Sequence, residues 1–491
     1  MSAAPRAGQT RSFVTILLLE LWERFGYYGM AGLLVLFMVQ KFGIDDARVN
    51  LMWGAFTALA FATPAIGGWV GDKVLGAKRT MTFGAFTLAL GYLLLASSGD
   101  SLHGVYIALG TIVVGNGLFK ANAANIVRRI YESEDAKIDS AFTLYYMANN
   151  IAGMVSVLLM PWIKDHWGWH VAFATSCVGM VLGLMGYFAM MRTLADAGSP
   201  PDAQPLHWDR LAMVLGGSVV SLFVVAFVMQ HSDIAISGVY AGGMATLGIF
   251  GYMIANGTKS ERAGLIAALI LVAEALLFYI FYQQVATSLT LFALRNVDWN
   301  QTLYGQHLFT WSPAQYPALN AIWILLLSPP LAWIYHHLGK RGLDLSVAAK
   351  FAIGFAAVAV AFFIFGMSKH GAVNGKVSSW FMIAGYGVYS LGELLIAALG
   401  LAMISRYVPA RMSGFMMGAF FVAAGIAEFL GSVIASSASI PEHNADPLVS
   451  LAIYTRLFNQ LGLLAIGGMV LAILLLPLMR RLSALHVASK A

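Results

Sequence analysis

Residues 12–40 read SFVTILLLELWERFGYYGMAGLLVLFMVQ. At 1.5 Å of rise per residue, a helix over this stretch is about 43 Å long and exceeds a hydrocarbon core about 30 Å thick. The run is apolar at both ends and carries Glu20, Glu23 and Arg24 in its middle. Charges at that depth are tolerated only when paired or wetted, so they mark function. Glu20, Glu23, Arg24, Tyr27 and Tyr28 stand at i, i+3, i+4, i+7 and i+8, which places all five along one helical face. Such a stripe is expected to line a cavity.

The rest of the chain has the same character. Of 491 residues, 59% are hydrophobic and 11% charged, and the mean hydropathy is +0.75. A soluble surface needs more charge than that. Fourteen spans are expected, near 12–40, 51–71, 80–99, 104–127, 141–163, 168–191, 211–230, 234–257, 263–294, 317–338, 345–367, 378–404, 411–437 and 454–479. Many of the 50 glycines and 14 prolines fall inside these runs, as they do where helices pack closely or bend in lipid. The first run is too long for the apolar part of a signal peptide, so it is expected to remain as a helix. The single cysteine, Cys177, lies in an apolar run with no partner, which excludes a disulfide and leaves packing.

The net charge is +6, but the basic residues are scattered through short loops, which argues against nucleic acid. Twenty of the 29 Lys and Arg fall on the side that holds both termini and seven on the other, while Arg24 and Lys120 lie within helices. The positive-inside rule then predicts that both termini of this multi-pass protein are cytoplasmic. The most polar connection in the middle of the chain, residues 195–210 (ADAGSPPDAQPLHWDR), has the composition of an exposed linker. It divides six helices from eight. Residues 1–192 are expected to form an N-terminal six-helix bundle, 193–210 a cytoplasmic linker, 211–257 an extra two-helix hairpin and 258–491 a C-terminal six-helix bundle. Two bundles around a midplane site are a transporter architecture.

After the second helix, Gly68, Asp72, Gly76, Lys78 and Arg79 (GWVGDKVLGAKR, residues 68–79) resemble the loop motif of the major facilitator superfamily. Gly339, Lys340 and Arg341 echo it weakly in the later half. An acid beside a helix end and a basic pair can latch two helices across a loop, as a gate does; a basic loop kept only for solubility has the same composition. On the first helix, Glu20 and Arg24 at i, i+4 can hold one another when the acid is ionised and part when it is protonated. A structural ion pair is the other reading, but two acids against one base leave a carboxylate that pairing does not use.

Glu20-x-x-Glu23-Arg24-Phe25 followed by Tyr27-Tyr28 resembles the signature of the proton-coupled oligopeptide transporters of the major facilitator superfamily, and among these the bacterial di- and tripeptide permeases. The likeness continues through GNGLFKAN at 115–122, FTLYYMANNIAG at 142–153, LNAIWILLLSP at 319–329 and SLGELLIAALGLAM at 390–403. It implies an all-α membrane protein of the major facilitator fold, two six-helix bundles plus two extra helices. The implied activity is symport of di- and tripeptides with protons by alternating access. The proton gradient would drive it, with no cofactor or metal, in a lipid bilayer and as a functional monomer.

A short zwitterionic peptide offers an ammonium, a carboxylate and one or two amides. Lys120, one turn beyond Asn116, is a point charge suited to the carboxylate, with Arg24 and Tyr28 as further donors; pairing with Glu20 or Glu23 is a second use open to it. The resemblance assigns Glu393 to the ammonium and Asn150 and Asn320 to the peptide backbone and amino terminus, with Tyr146 one turn before Asn150. Its cavity would be basic at Arg24 and Lys120 and acidic at Glu393. Tyr27, Phe61, Gln283, Ala397 and Phe420 fall at pocket positions. Glu274 and Glu428 are further acids in apolar helices, for which a helix-end position and interhelical pairing are both open.

The chain departs from the family pattern in places. Ala31 stands where many relatives have arginine, Gln283 where they have glutamate, Phe61 where tyrosine is usual, Ala397 where serine follows and Phe420 where tryptophan is found. Asn149 and Ala152 also depart from the pattern around Asn150. Proton coupling is therefore expected to rest on Glu20 and Glu23, with Glu393 a further candidate. The competing reading keeps the fold and changes the cargo to nitrate, a glycoside or a peptide-like drug; an acid at 393 opposes an anion. An enzyme is disfavoured because the sequence has no phosphate-cradling glycine loop and no Gly-x-Ser-x-Gly elbow. His336 and His337 are adjacent and read as interfacial residues.

Overall fold

The computed structural model describes residues 7–131, 135–341, 346–407, 410–440 and 446–488, and of these gives no side chains for 7, 135–140, 259–260, 347, 397–418, 483–484 and 486–488. The chain is almost wholly helical and divides into two compact units, residues 1–42 with 55–235 and residues 43–54 with 236–491. Thirteen helices among the described residues are long and apolar enough to cross a membrane, and Ser379–Tyr407, of 29 residues, is a further long helix.

The first unit contains α1 (Ala7–Phe42), most of α2 (Asp46–Lys73), α3 (Ala77–Ser97), α4 (Leu102–Ile130), α5 (Asp135–Trp167), α6 (Trp169–Met190) and α7 (Trp208–Gln230). Helix α1 packs on α5 and α6, α3 packs on α4 and α6, and α7 packs on α4. Small residues let these helices approach closely in an apolar medium, where packing must supply what the hydrophobic effect does not. A Cβ at Gly67 of α2 would lie 2.0 Å from the carbonyl oxygen of Gly117 on α4, and one at Gly84 of α3 would lie 2.6 Å from the amide of Phe119. Gly67 and Gly84 are therefore contact surfaces between helices.

The second unit holds α8 (Ser232–Asn256) from Ile236 on, α9 (Lys259–Tyr282), α10 (Ser288–Asn296), α11 (Ala318–Lys340), α12 (Val347–Met367), α13 (Ser379–Tyr407), α14 (Ala410–Ser436) and α15 (Pro447–Ala488). Helix α12 packs on α13 and α15, α9 on α13, α14 and α15, and α11 on α13. Phe281, Phe362, Phe365, Tyr389 and Phe458 are fully buried at the centre. Short strands β1 (Val297–Asp298) and β4 (Val377–Ser378) pair in parallel, and β2 (Asn300–Leu303) with β3 (Gln306–Thr310) forms a hairpin. The hairpin turns at Tyr304 and Gly305, whose φ angles are 50° and 77°.

One sequence expectation is revised here. The run 263–294 is not one helix: a 3₁₀ turn at Gln283–Val285 separates α9 from α10. Polar side chains satisfy the groups involved, as irregular backbone at membrane depth requires. Gln284 Nε2 donates to the Gly431 carbonyl at 2.9 Å and Thr287 Oγ1 to the Gln283 carbonyl at 2.7 Å. Of the two helices within 211–257, α7 lies against α4 in the first unit, and Gly242 of α8 faces Val422 and Ile426 of α14 in the second. The first residues of α2 count with the second unit. There Arg295 of α10 forks onto Asp46, with Nη2 2.7 Å from Oδ1 and Nη1 on Oδ2, and Nη1 also reaches the Tyr454 hydroxyl at 2.7 Å.

Candidate functional site

In the first unit, the α1 stripe closes into a buried cluster. Arg24 Nε lies 2.5 Å from Glu23 Oε2 and 3.3 Å from Glu20 Oε1, and the three residues are 0–4% exposed. Asn149 of α5 donates to Glu20 Oε1 at 3.5 Å. Glu20 Oε2, Glu23 Oε1 and Arg24 Nη2 have no hydrogen-bond partner among the described residues. Buried polar atoms are almost always satisfied, so open valences on three neighbouring charged groups point to a ligand. The guanidinium carbon sits 5.6 Å from the Tyr27 ring centroid and 5.9 Å from that of Tyr28, both half-buried.

On α4, Lys120 places Nζ 5.4 Å from the Phe61 ring centroid and acts electrostatically on Glu23. It therefore belongs to the same charged neighbourhood. Asn116, one turn earlier, anchors α4 to α2 by donating to the Ala60 carbonyl at 3.1 Å. Asn150 turns its amide back to the Tyr146 carbonyl at 2.8 Å, and Tyr146 is 62% exposed. Their neighbours Tyr145 and Asn149 are the residues turned inward, Tyr145 being buried and Asn149 bonded to Glu20.

In the second unit, Asn320 of α11 joins Glu393 and Ser390 of α13. Its Nδ2 donates to Glu393 Oε2 at 2.7 Å and to Ser390 Oγ at 3.1 Å. Glu393 is half-buried and has no cationic side chain on it among the described residues. A carboxylate held by one neutral amide keeps acceptor capacity for a cation. Phe420 is buried with its ring 6.3 Å from that of Tyr279, and Gln283 donates to Ser432 Oγ at 2.8 Å. Ala397 lies outside the residues whose side chains are described.

The loop motif has a different partner from the one its composition suggests. Asp72 accepts from Asn125 at 2.8 Å and pairs with Arg129 at 3.4 Å, both on α4. Lys78 and Arg79 turn to the linker: Lys78 Nζ donates to the Leu194 and Ala195 carbonyls at 3.0 and 2.9 Å, and Arg79 to those of Pro201 and Gln204 at 3.1 and 2.6 Å. Gly76, at φ 103°, supplies no cap to α3. The linker does so instead, with Ser199 Oγ accepting from Ala77 N at 2.7 Å and Asp202 from Lys78 N at 3.1 Å. The segment expected to be an exposed linker thus has buried Leu194, Ser199 and Pro201. A carboxylate at a helix N-terminus satisfies amides and favours the dipole. Asp202→Ala is expected to cost about 0.5–2 kcal/mol, the range for a lost cap, read as a lower unfolding midpoint in detergent and faster proteolysis within 195–210. An unchanged midpoint would dismiss the cap.

Sequence reasoning missed Asn149, Ser390, Ser199 and Asp202. Asn149 was legible in principle, since Tyr145 and Asn149 share the i, i+4 spacing of Tyr146 and Asn150; only helix rotation separates the two pairs. Nothing local marks the linker residues as caps for a helix more than a hundred positions earlier.

Buried charge within membrane-spanning helices, in two units of the major facilitator fold, defines a polytopic membrane transporter. The chain belongs to the POT family, whose model matches residues 78–449. It is 38% identical over 486 residues to dipeptide and tripeptide permease A of Escherichia coli (strain K12), covering 98% of this chain and 95% of that protein. It is 38% identical over 479 residues to dipeptide and tripeptide permease B of Aliivibrio fischeri (strain MJ11), covering 96% and 95%. A crystal structure of tetrameric PepTSo2 superposes with a TM-score of 0.88 at 53% identity, over 96% of this chain and 99% of that one. The chain is a multi-pass membrane transporter and not an enzyme.

Proposed function

We propose that this chain is a symporter that imports di- and tripeptides with protons by alternating access. The observation that carries the reading is Arg24 shared between two buried carboxylates, with unsatisfied atoms on all three groups. When Glu20 or Glu23 takes a proton, Arg24 loses part of its internal partner and can bind the peptide carboxylate, with Lys120 and Tyr28 as further donors. When the proton leaves, the carboxylate reclaims the guanidinium and the peptide is released. Glu393, steadied by Asn320, takes the peptide ammonium. Relatives named as dipeptide and tripeptide permeases support this cargo.

The gradient of protons supplies the driving force, so no cofactor enters the cycle. The single chain is the transport unit in this reading, although structures of a relative at 53% identity are described as tetrameric. The excess of Lys and Arg on the terminal side supports cytoplasmic termini, and the bacterial permease relatives support the inner membrane. An anion such as nitrate would face the Glu393 carboxylate unfavourably, which leaves the peptide as the better cargo.

The test is uptake of a labelled dipeptide into proteoliposomes under an inward acidic gradient. Accumulation above the outside concentration is expected, and none would sink the reading. Glu393→Gln is expected to weaken competition by a free-amine dipeptide about 10- to 100-fold, the worth of a hydrogen bond to a charged group, while leaving an N-acetylated dipeptide unaffected. Equal losses for both peptides would remove Glu393 from ammonium recognition.

A further inference from the structure

Glu274 of α9 is 2% exposed, and neither of its carboxylate oxygens has a hydrogen-bond partner among the described residues. Leu271 and Phe278, one turn to either side on the same face, are also buried. Among the described side chains, the helices packed against α9 carry Lys350 on α12, Tyr386, Tyr389 and Glu393 on α13, Glu428 on α14, and Tyr454, Arg456, Arg480 and Arg481 on α15. None of them makes a hydrogen bond to either carboxylate oxygen of Glu274.

An ionised carboxylate there would be a bare charge in an apolar interior, which is costly. A leucine or methionine would pack the same space without that cost. A carboxyl kept where it contributes no bond is one that gains and loses a proton in another state of the protein. Its position relates it to the proposed ammonium site: Phe278, one turn on, stacks on Tyr389 at 6.0 Å, and Glu393 is one turn beyond Tyr389.

We propose that Glu274 is a proton-binding site of the second unit, loading and releasing one proton per cycle in addition to the proton handled by Glu20 and Glu23. This rests on the symport reading. The step is proton transfer alone: a proton from the acidic side adds to the ionised carboxylate when the site is open to water, and leaves on the other side.

The experiment compares the intact protein with Glu274→Gln, which keeps shape and removes the titration. With one proton fewer per cycle, a gradient of one pH unit is expected to drive about tenfold less dipeptide accumulation. Counterflow exchange at equal pH, which needs no net proton movement, is expected to persist. Infrared difference spectra of the purified intact protein are expected to show a carboxylic acid C=O band that Glu274→Gln lacks. Equal accumulation in the two proteins would overturn the site, as would loss of counterflow together with accumulation, which would make the carboxyl structural. If the intact protein itself accumulates nothing, symport fails and the site with it; a defect confined to Glu274→Gln leaves symport standing.

Discussion

Arg24→Ala is expected to reduce gradient-driven dipeptide uptake a hundredfold or more. The substitution leaves Glu20 and Glu23, 2% and 0% exposed, without the cation that lies between them. Removing one partner of a buried ion pair costs about 3–5 kcal/mol, and each ~1.4 kcal/mol is a factor of ten. Lys120 is near enough to act on Glu23, so it offsets part of the charge but cannot replace the fork. Arg24→Lys keeps the charge and loses the planar donor geometry, which places it between alanine and the intact protein. The double variant Arg24→Ala with Glu23→Gln separates folding from transport: it is expected to recover thermal stability and to remain inactive. Uptake by Arg24→Ala above half the intact rate would remove Arg24 from the mechanism.

Asp46→Asn is expected to be the most destabilising single change in the second unit, at about 3–5 kcal/mol. Asp46 is 2% exposed and accepts both terminal nitrogens of Arg295, which also holds the Tyr454 hydroxyl. An amide keeps one acceptor and turns its NH₂ toward the guanidinium, so Arg295 stays buried without its counter-ion. A lower unfolding midpoint and a shorter half-life at fixed temperature would register the loss. Asp46→Leu with Arg295→Met is expected to recover most of it, because a packed apolar pair replaces a buried ionic one at little cost. A midpoint unchanged in Asp46→Asn would show the pair to be idle.

Much of the fold and part of the site were legible because their information is local. The length of each apolar run marked the spans, and the i, i+3, i+4 spacing of Glu20, Glu23 and Arg24 put them on one face before any tertiary contact was known. Asn320 with Glu393 came from a family resemblance, and the structure brings the two within 2.7 Å. The helix break at Gln283–Val285 was not legible, because it depends on the Gly431 carbonyl and Ser432 of α14, which offer partners to Gln284 and Gln283.

The sequence by itself determined that this is a helical membrane protein with charge buried along its first span, since hydropathy and helical period follow from covalent structure and from the cost of charge in lipid. Only the tertiary structure decided which polar residues meet. Arg295 finds Asp46 across 249 residues, Asp202 caps α3 across 124, and Asn149 rather than Asn150 turns to Glu20. The reason is that an apolar helix in lipid has no polar face to set its rotation, so its orientation, and the groups it brings together, are settled by packing against its neighbours.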